Sequence, residues 1–201
     1  MVSSIWMSPV AEMSSMAESL RAERPDGSAM PVAPRWYACY TRARHEKQVD
    51  RLLKERDVET FLPLVARESQ WRDRKKIVEW PLFPSYVFGR FGALDMIRVL
   101  STPGVAALVK CNGRPTPIDD EELENVRLLT RVLPAEEGIV ERRPFLASGQ
   151  WVEVMEGPFQ GLRGTVVEHR NRRRVLIGIA AIGQGLEVDV ETSTLRPVSG
   201  P

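Results

Sequence analysis

The segment Pro81 to Phe91 reads PLFPSYVFGRF and constrains the fold more than any other stretch of the chain. Two prolines bracket an aromatic residue, and the run that follows has the aromatic and β-branched content of a strand. Alternate side chains of a strand face opposite sides, which sends Tyr86 and Phe88 one way and Val87 and Phe91 the other. Both faces are apolar, so the strand needs a cover on each side. RWYACYT, Arg35 to Thr41, makes the same demand, with Trp36, Ala38 and Tyr40 on one side and Tyr37 and Cys39 on the other.

The elements around these two strands follow from spacing. Arg44 to Arg56 places Val49, Leu52, Leu53 and Arg56 at helical intervals with charges between them. Val58 to Leu62 is a short strand stopped by Pro63. Leu64 to Val78 suits a projecting hairpin. Gly92 to Leu100 reads as a short helix with Leu94, Ile97 and Val99 or Leu100 near one side, stopped by Thr102-Pro103-Gly104. Val105 to Val109 is a further strand, closed by Asn112-Gly113. Asp119, with Glu122 three residues on, opens a last helix whose buried stripe is Leu123, Val126, Leu129 or Thr130 and Leu133, and which ends at Pro134. Strand, helix, strand, hairpin and strand, helix, strand, helix is the order of a ferredoxin-like α/β sandwich within an α+β chain.

Such a sandwich packs its helices on one sheet face. The other face is then expected to carry Tyr40 from the first strand and Phe83 or Tyr86 from the later one, uncovered. An exposed aromatic patch of several hundred Å² usually marks an interface. If the chain's own segments sealed those rings, the expectation would fail.

Ala135 to Leu146 is charged, lacks periodicity and reads as a linker. Gly149 to Pro197 then alternates in strand fashion through WVEVM, TVVEH, VLIGIAAI, LEVDVE and TLRPV. Short strands at this density imply a small all-β barrel or a strongly bent sheet. Met1 to Pro34 is rich in Met, Ser, Ala and Pro and is expected to stay outside the fold; Met7, Met13, Met16 and Met30 each offer an alternative start. The expected division is a disordered tail over 1–33, an α+β domain over 34–133, a linker over 134–147 and a barrel domain over 148–201.

The chain has 201 residues, 43% hydrophobic and 27% charged, which suits ordinary globular packing. No apolar run approaches the roughly 18 to 20 residues of a membrane span, and no secretory leader is recognisable, so a cytoplasmic location is expected. Formal net charge is only +1, so contact with nucleic acid would have to come from local patches. RESQWRDRKK, Arg67 to Lys76, and RNRRR, Arg170 to Arg174, are two such patches, each equally readable as a solvated loop.

Cys39 and Cys111 are the only cysteines. Neither lies in a metal-ligand spacing, and both read as buried apolar residues. His45-Glu46 lacks a second histidine four residues on, and Glu46 reads as an ordinary helix-surface residue. No nucleophile–base pair or phosphate loop stands out, so neither catalysis, nor a metal, nor a cofactor is expected.

GQWVEVMEGPFQGLRGTVVE, Gly149 to Glu168, resembles the KOW motif. Gly157-Pro158 would make its turn, Phe159 would fill the small barrel, and Gly161 and Gly164 suit positive φ or close strand approach. Ribosomal proteins also carry KOW motifs. Combined with WYACY and PLFPSYVF, however, the chain from about Pro34 to Val198 resembles the NusG family of bacterial transcription elongation and antitermination factors, a ferredoxin-like N-terminal domain followed by an SH3-like KOW barrel. The PLFPSY wording is closest to specialised paralogues of the RfaH and polysaccharide-locus type.

The resemblance implies a monomer whose sheet face docks on the clamp helices of RNA polymerase and suppresses pausing or termination. The matching positions are Tyr40, Phe83, Pro84 and Tyr86, with Pro81 and Pro84 fixing the local backbone. It also implies contact of Arg42, with Arg44 and Lys47 beside it, with the displaced non-template strand. The hairpin residues Trp71, Arg72, Arg74, Lys75 and Lys76 are placed to reach upstream DNA. The barrel would recruit a ribosomal protein or termination factor Rho. The place that carries a His-Thr-Thr element in RfaH reads Asp95-Met96-Ile97, so that polymerase contact is not implied. RfaH also refolds its C-terminal domain into helices, whereas the β-branched content and glycines of Val175 to Val190 argue for a stable barrel. The competing reading is a KOW-type RNA- or ribosome-binding protein that grips RNA through RNRRR and the barrel.

Overall fold

The computed structural model describes residues 33–71, 74–133, 141–144, 149–169, 172–190 and 192–200. The tail expected over 1–33 therefore lies almost wholly outside the described residues. The N-terminal half is built on strand β1 (Arg35–Thr41) and its antiparallel neighbour β5 (Tyr86–Phe91), which pair from Arg35 opposite Phe91 to Tyr40 opposite Tyr86. Strand β2 (Glu59–Phe61) flanks β5 and β6 (Val105–Leu108) flanks β1, in the order β2-β5-β1-β6. Helix α1 (Glu46–Lys54) connects β1 to β2, and helix α2 (Met96–Leu100) connects β5 to β6. This is the alternation of strands and helices that the sequence predicts.

The hairpin β3 (Leu64–Trp71) and β4 (Arg74–Pro81) is inserted between β2 and β5, with Val65 opposite Trp80 and Trp71 opposite Arg74. A minor hairpin, β7 (Lys110–Cys111) with β8 (Arg114–Pro115), follows β6, and β9 (Pro117–Ile118) returns to pair with the start of β1.

Each face of the β1–β5 pair has its own core. On one, Tyr37, Cys39, Val87 and Phe91 meet Val49 and Leu53 of α1 and Met96 and Val99 of α2. Burial there pushes the Cys39 thiol up to about 12. Cys111, expected to be buried, is exposed in the β7–β8 turn region. The second face is not open. Helix α3 (Asp120–Val132) lies on it, its buried Leu123, Val126 and Leu129 packing with Trp36, Ala38, Phe88 and Ile118. Arg127 of α3 stacks its guanidinium 5.4 Å from the Trp36 ring and 5.0 Å from the Phe61 ring. The expectation of helices on a single face fails because Trp36 and Phe88 together offer more apolar area than solvent tolerates, and α3 has the stripe to cover it.

The segment after β5 departs from expectation in register. A 3-10 turn at Ala93–Asp95 precedes α2 and rotates the helix, which buries Met96 and Val99 and leaves Leu94 83% and Ile97 67% exposed.

The C-terminal part is an antiparallel sheet of β10 (Glu141–Pro144), β11 (Trp151–Val154), β12 (Arg163–His169), β13 (Arg172–Ile179), β14 (Gln184–Asp189) and β15 (Leu195–Pro197). The strands run in the order β10-β14-β13-β12-β11-β15, and among the described residues no pairing joins the two ends into a closed barrel. Strand β10 falls inside the segment expected to be linker, because Glu141–Pro144 finds a free edge on β14. Between Val175 and Val190, β13 runs to Ile179, a 3-10 turn at Ala180–Ile182 follows, and β14 spans Gln184–Asp189.

Helix α3 also touches this sheet. Arg163 donates its backbone N–H to Asn125 Oδ1 at 3.0 Å and its guanidinium to Glu121 at 2.9 Å. The Ala180 N–H donates to Glu122 Oε1 at 3.4 Å. Val154, Leu162, Ile177 and Ile179 are continuous with the core beneath α3. Burial holds the Glu122 carboxyl above its ordinary value; the Ala180 N–H opposes this and the charge of Asp119 adds to it.

An acid whose folded pKa lies above its unfolded one stabilises fully below the unfolded value, and that contribution is lost as pH rises through the folded value. Glu122→Gln, which keeps an acceptor for Ala180, is therefore expected to gain in thermal midpoint relative to the parent chain across the pH range just above the ordinary glutamate value. A deficit that widens over that range would contradict the assignment.

Candidate functional site

The site grows from the turn Leu82–Ser85 that leads into β5. Pro84 has a fixed φ and stands exposed at the apex, with Ser85 following in the left-handed region at φ 67°. A serine there is strained and persists only where neighbours over-determine it. Three hydrogen bonds do so. Thr41 N–H donates to Ser85 O at 2.8 Å, Tyr86 N–H to Phe83 O at 3.3 Å, and Ser85 N–H to Glu46 Oε1 at 2.7 Å. Glu46 is thus no surface residue, contrary to the sequence reading; it is only 6% exposed.

The four residues expected on the aromatic face separate by depth. Tyr40 and Tyr86 are half-buried and meet edge to face, 5.5 Å between ring centroids and 62° between planes. Burial raises the Tyr86 hydroxyl above its ordinary value, with Tyr40 adding to the shift. Pro84 is exposed. Phe83 is fully buried, packed edge-on against Phe88 at 6.0 Å in the core that includes Val65 and Leu82. The expectation of an uncovered ring at Phe83 is therefore overturned. A phenylalanine pinned between prolines at the sheet edge buries more apolar area by turning inward than by facing solvent. What remains at the surface is a compact patch of Pro84 and the outer edges of two tyrosines.

The β1–α1 loop lies beside this patch, since Thr41 is bonded to the turn. Arg42 and Arg44 in this loop, and Lys47 in the first turn of α1, are all exposed. Arg42 N–H donates to Gly104 O at 2.9 Å, which fixes where its side chain leaves the backbone, and Arg44 adopts φ 63°. Gly104, at φ 99°, is the residue that permits this approach, because a Cβ there would meet Val49 Cγ2 at 2.8 Å. Lys47 pairs with Glu79 of the hairpin at 3.2 Å, an exposed pair of small energetic weight that draws the hairpin base toward α1.

Of the hairpin cations, Arg72 lies outside the described residues. Trp71, Arg74, Lys75 and Lys76 are placed by backbone register only, next to the hairpin tip.

The KOW-like stretch has the geometry its glycines suggest. Gly157 and Gly161 adopt φ 86° and 85°. At Gly164 a Cβ would meet Leu176 O at 2.5 Å, so β12 and β13 approach too closely for any side chain. Pro158 is exposed in the turn closed by Gln160 N–H to Gly157 O at 3.1 Å. Phe159 is only partly buried at the core margin, and it is Leu162 that fills the interior. Arg174 of the RNRRR patch pairs with Glu187 at 3.1 Å and Asp189 at 2.6 Å across β13 and β14, and those hydrogen bonds raise its pKa.

Sequence reasoning missed Glu46. Its position at the start of an amphipathic helix gave no sign of a bond to a turn 39 residues away. The one available signal was a strained-turn sequence, PSY, with no local side chain able to hold it.

These features define a two-part chain, an α+β half that presents a rigid proline–tyrosine turn beside a basic loop, followed by a glycine-pinned antiparallel sheet. Residues 34–127 match the family described as "Transcription termination factor nusG". The "Transcription termination/antitermination protein NusG" of Deinococcus radiodurans is 30% identical over 186 residues, covering 79% of this chain and 96% of that protein. The protein of the same name from Rickettsia bellii is 23% identical over 174 residues, covering 81% of this chain and 89% of its own. The solved structure "Domain interaction in Thermotoga maritima NusG" shares 21% identity at a TM-score of 0.42, covering 83% of this chain and 98% of that one. The chain belongs to the NusG family of transcription termination/antitermination factors. Among its described residues no helix is long and apolar enough to cross a membrane.

The depths assigned to Phe83 and Pro84 give separable outcomes. Phe83→Ala is expected to lower stability by about 3 to 5 kcal/mol, and Pro84→Ala by about 1 kcal/mol or less, in denaturant unfolding. Equal losses would contradict the geometry.

Proposed function

We propose that this chain is a transcription elongation and antitermination factor that binds the clamp helices of RNA polymerase through Tyr40, Pro84 and Tyr86. The observation that carries this reading is the strained, triply bonded turn that holds an exposed proline next to two tyrosine edges. A preorganised patch loses little entropy on binding, and tyrosine is a common anchor at interface centres. Phe83 supports the patch from beneath rather than touching polymerase. Arg42, Arg44 and Lys47 would neutralise phosphates of the non-template strand, and the hairpin residues Trp71, Arg72, Arg74, Lys75 and Lys76 would reach upstream DNA.

The C-terminal strands would act as a KOW domain that recruits a further partner, of the ribosomal-protein or Rho type; the positive-φ glycines and close approach at Gly164 support that reading. The competing reading, RNA grip through RNRRR, is weakened because Arg174 is already engaged by two carboxylates.

Affinity for purified bacterial core polymerase, read by biolayer interferometry, tests the docking. Tyr40→Ala, Pro84→Ala and Tyr86→Ala are each expected to weaken binding roughly 5- to 50-fold, as interface anchors do. Unchanged affinity in all three would remove the docking reading. Replacing Arg42, Arg44 and Lys47 together by Gln should flatten the salt dependence of association with an elongation complex, and an unaltered slope would remove the DNA contact.

A further inference from the structure

Glu46 opens α1 and is buried, and among the described residues it forms no salt bridge. A buried carboxylate without a cation is costly and is retained only where its oxygens are used. The use visible here is reception of the Ser85 N–H at 2.7 Å, across 39 residues of chain. A hydrogen bond from a backbone N–H to an ionised oxygen is about twice as strong as a neutral one.

The group held by this bond is the one residue of the docking turn in a strained conformation, Ser85 at φ 67°. Its two neighbours in sequence are Pro84 and Tyr86. Without Glu46, the Thr41 and Tyr86 amides remain, but neither restrains the Ser85 N–H, and the turn is free to relax toward negative φ. Pro84 and Tyr86 would then swing, and Tyr86 would lose its edge contact with Tyr40.

We propose that Glu46 is a positioning residue for polymerase docking: its carboxylate, accepting the Ser85 N–H, fixes the turn that presents Pro84 and Tyr86. The assignment rests on the docking reading of the preceding subsection. Glu46 itself touches no partner and acts only through Ser85.

The test compares the full chain with Glu46→Gln, Glu46→Ala and Tyr86→Ala, measuring core-polymerase affinity and amide hydrogen exchange at Ser85 by NMR. Glu46→Gln keeps an acceptor of the same size and is expected to bind within about threefold of the parent. Glu46→Ala is expected to lose roughly tenfold in affinity, with faster exchange at Ser85 and unchanged exchange in β1 and β6. If Glu46→Ala does not fold, Glu46→Leu fills much of the volume without accepting and takes its place. Parental affinity in the non-accepting variant, while Tyr86→Ala fails to bind, overturns the role of Glu46 and leaves the docking reading standing. Lost affinity with unchanged Ser85 exchange also overturns it, as does a Glu46→Gln variant as weak as Glu46→Ala. Absence of binding by the parent chain itself removes the docking reading.

Discussion

The structure depends on one strand pair whose two faces are both apolar. With Ala38 opposite Phe88 and Tyr37 opposite Gly89, β1 and β5 place aromatic side chains above and below the sheet, and neither face tolerates water. Every helix of the N-terminal half is placed by that demand. Helices α1 and α2 seal the side of Tyr37 and Phe91, while α3 seals the side of Trp36 and Phe88 and brings the C-terminal sheet against its outer edge. At the Tyr40 and Tyr86 end the cover thins out, and the strained turn at Ser85 sits at that end.

Most of this architecture is legible from spacing. The strands of RWYACYT and YVFGRF, the helix around Val49 and Leu53, and the stripe of Leu123, Val126 and Leu129 all lie where periodicity puts them. The side of the sheet on which α3 lies was not legible, because a helical stripe says that a face is buried and not against what. The same ambiguity hid the fate of Phe83, since an aromatic between prolines reads equally as an anchor for a partner or as a plug for the core. The rotation of α2 that exposes Leu94 and Ile97 comes from a 3-10 turn, whose threefold pitch shifts the register without changing the residues. Strand β10 went unread because its four residues, ERRP, carry no alternation.

The candidate site was legible in its surface residues and illegible in its supports. Tyr40 and Tyr86 meet, and Thr41, next in sequence to Arg42, is bonded to the turn of Pro84 and Ser85. What holds them is long-range, namely Glu46 on the turn and Gly104 under the loop. Such contacts join segments dozens of residues apart and leave no local pattern. The result is a small, stiff patch in place of a broad aromatic sheet face. That makes the docking claim narrower: three side chains carry it, and the ring beneath them serves stability.

Hydrogen-exchange mass spectrometry of the chain, free and bound to core RNA polymerase, tests this claim most directly. The account predicts new protection in the peptides that contain Tyr40 to Arg44 and Pro81 to Tyr86, with α1 and β6 unchanged. Protection confined to the C-terminal sheet, or none anywhere under conditions of saturating polymerase, would contradict it.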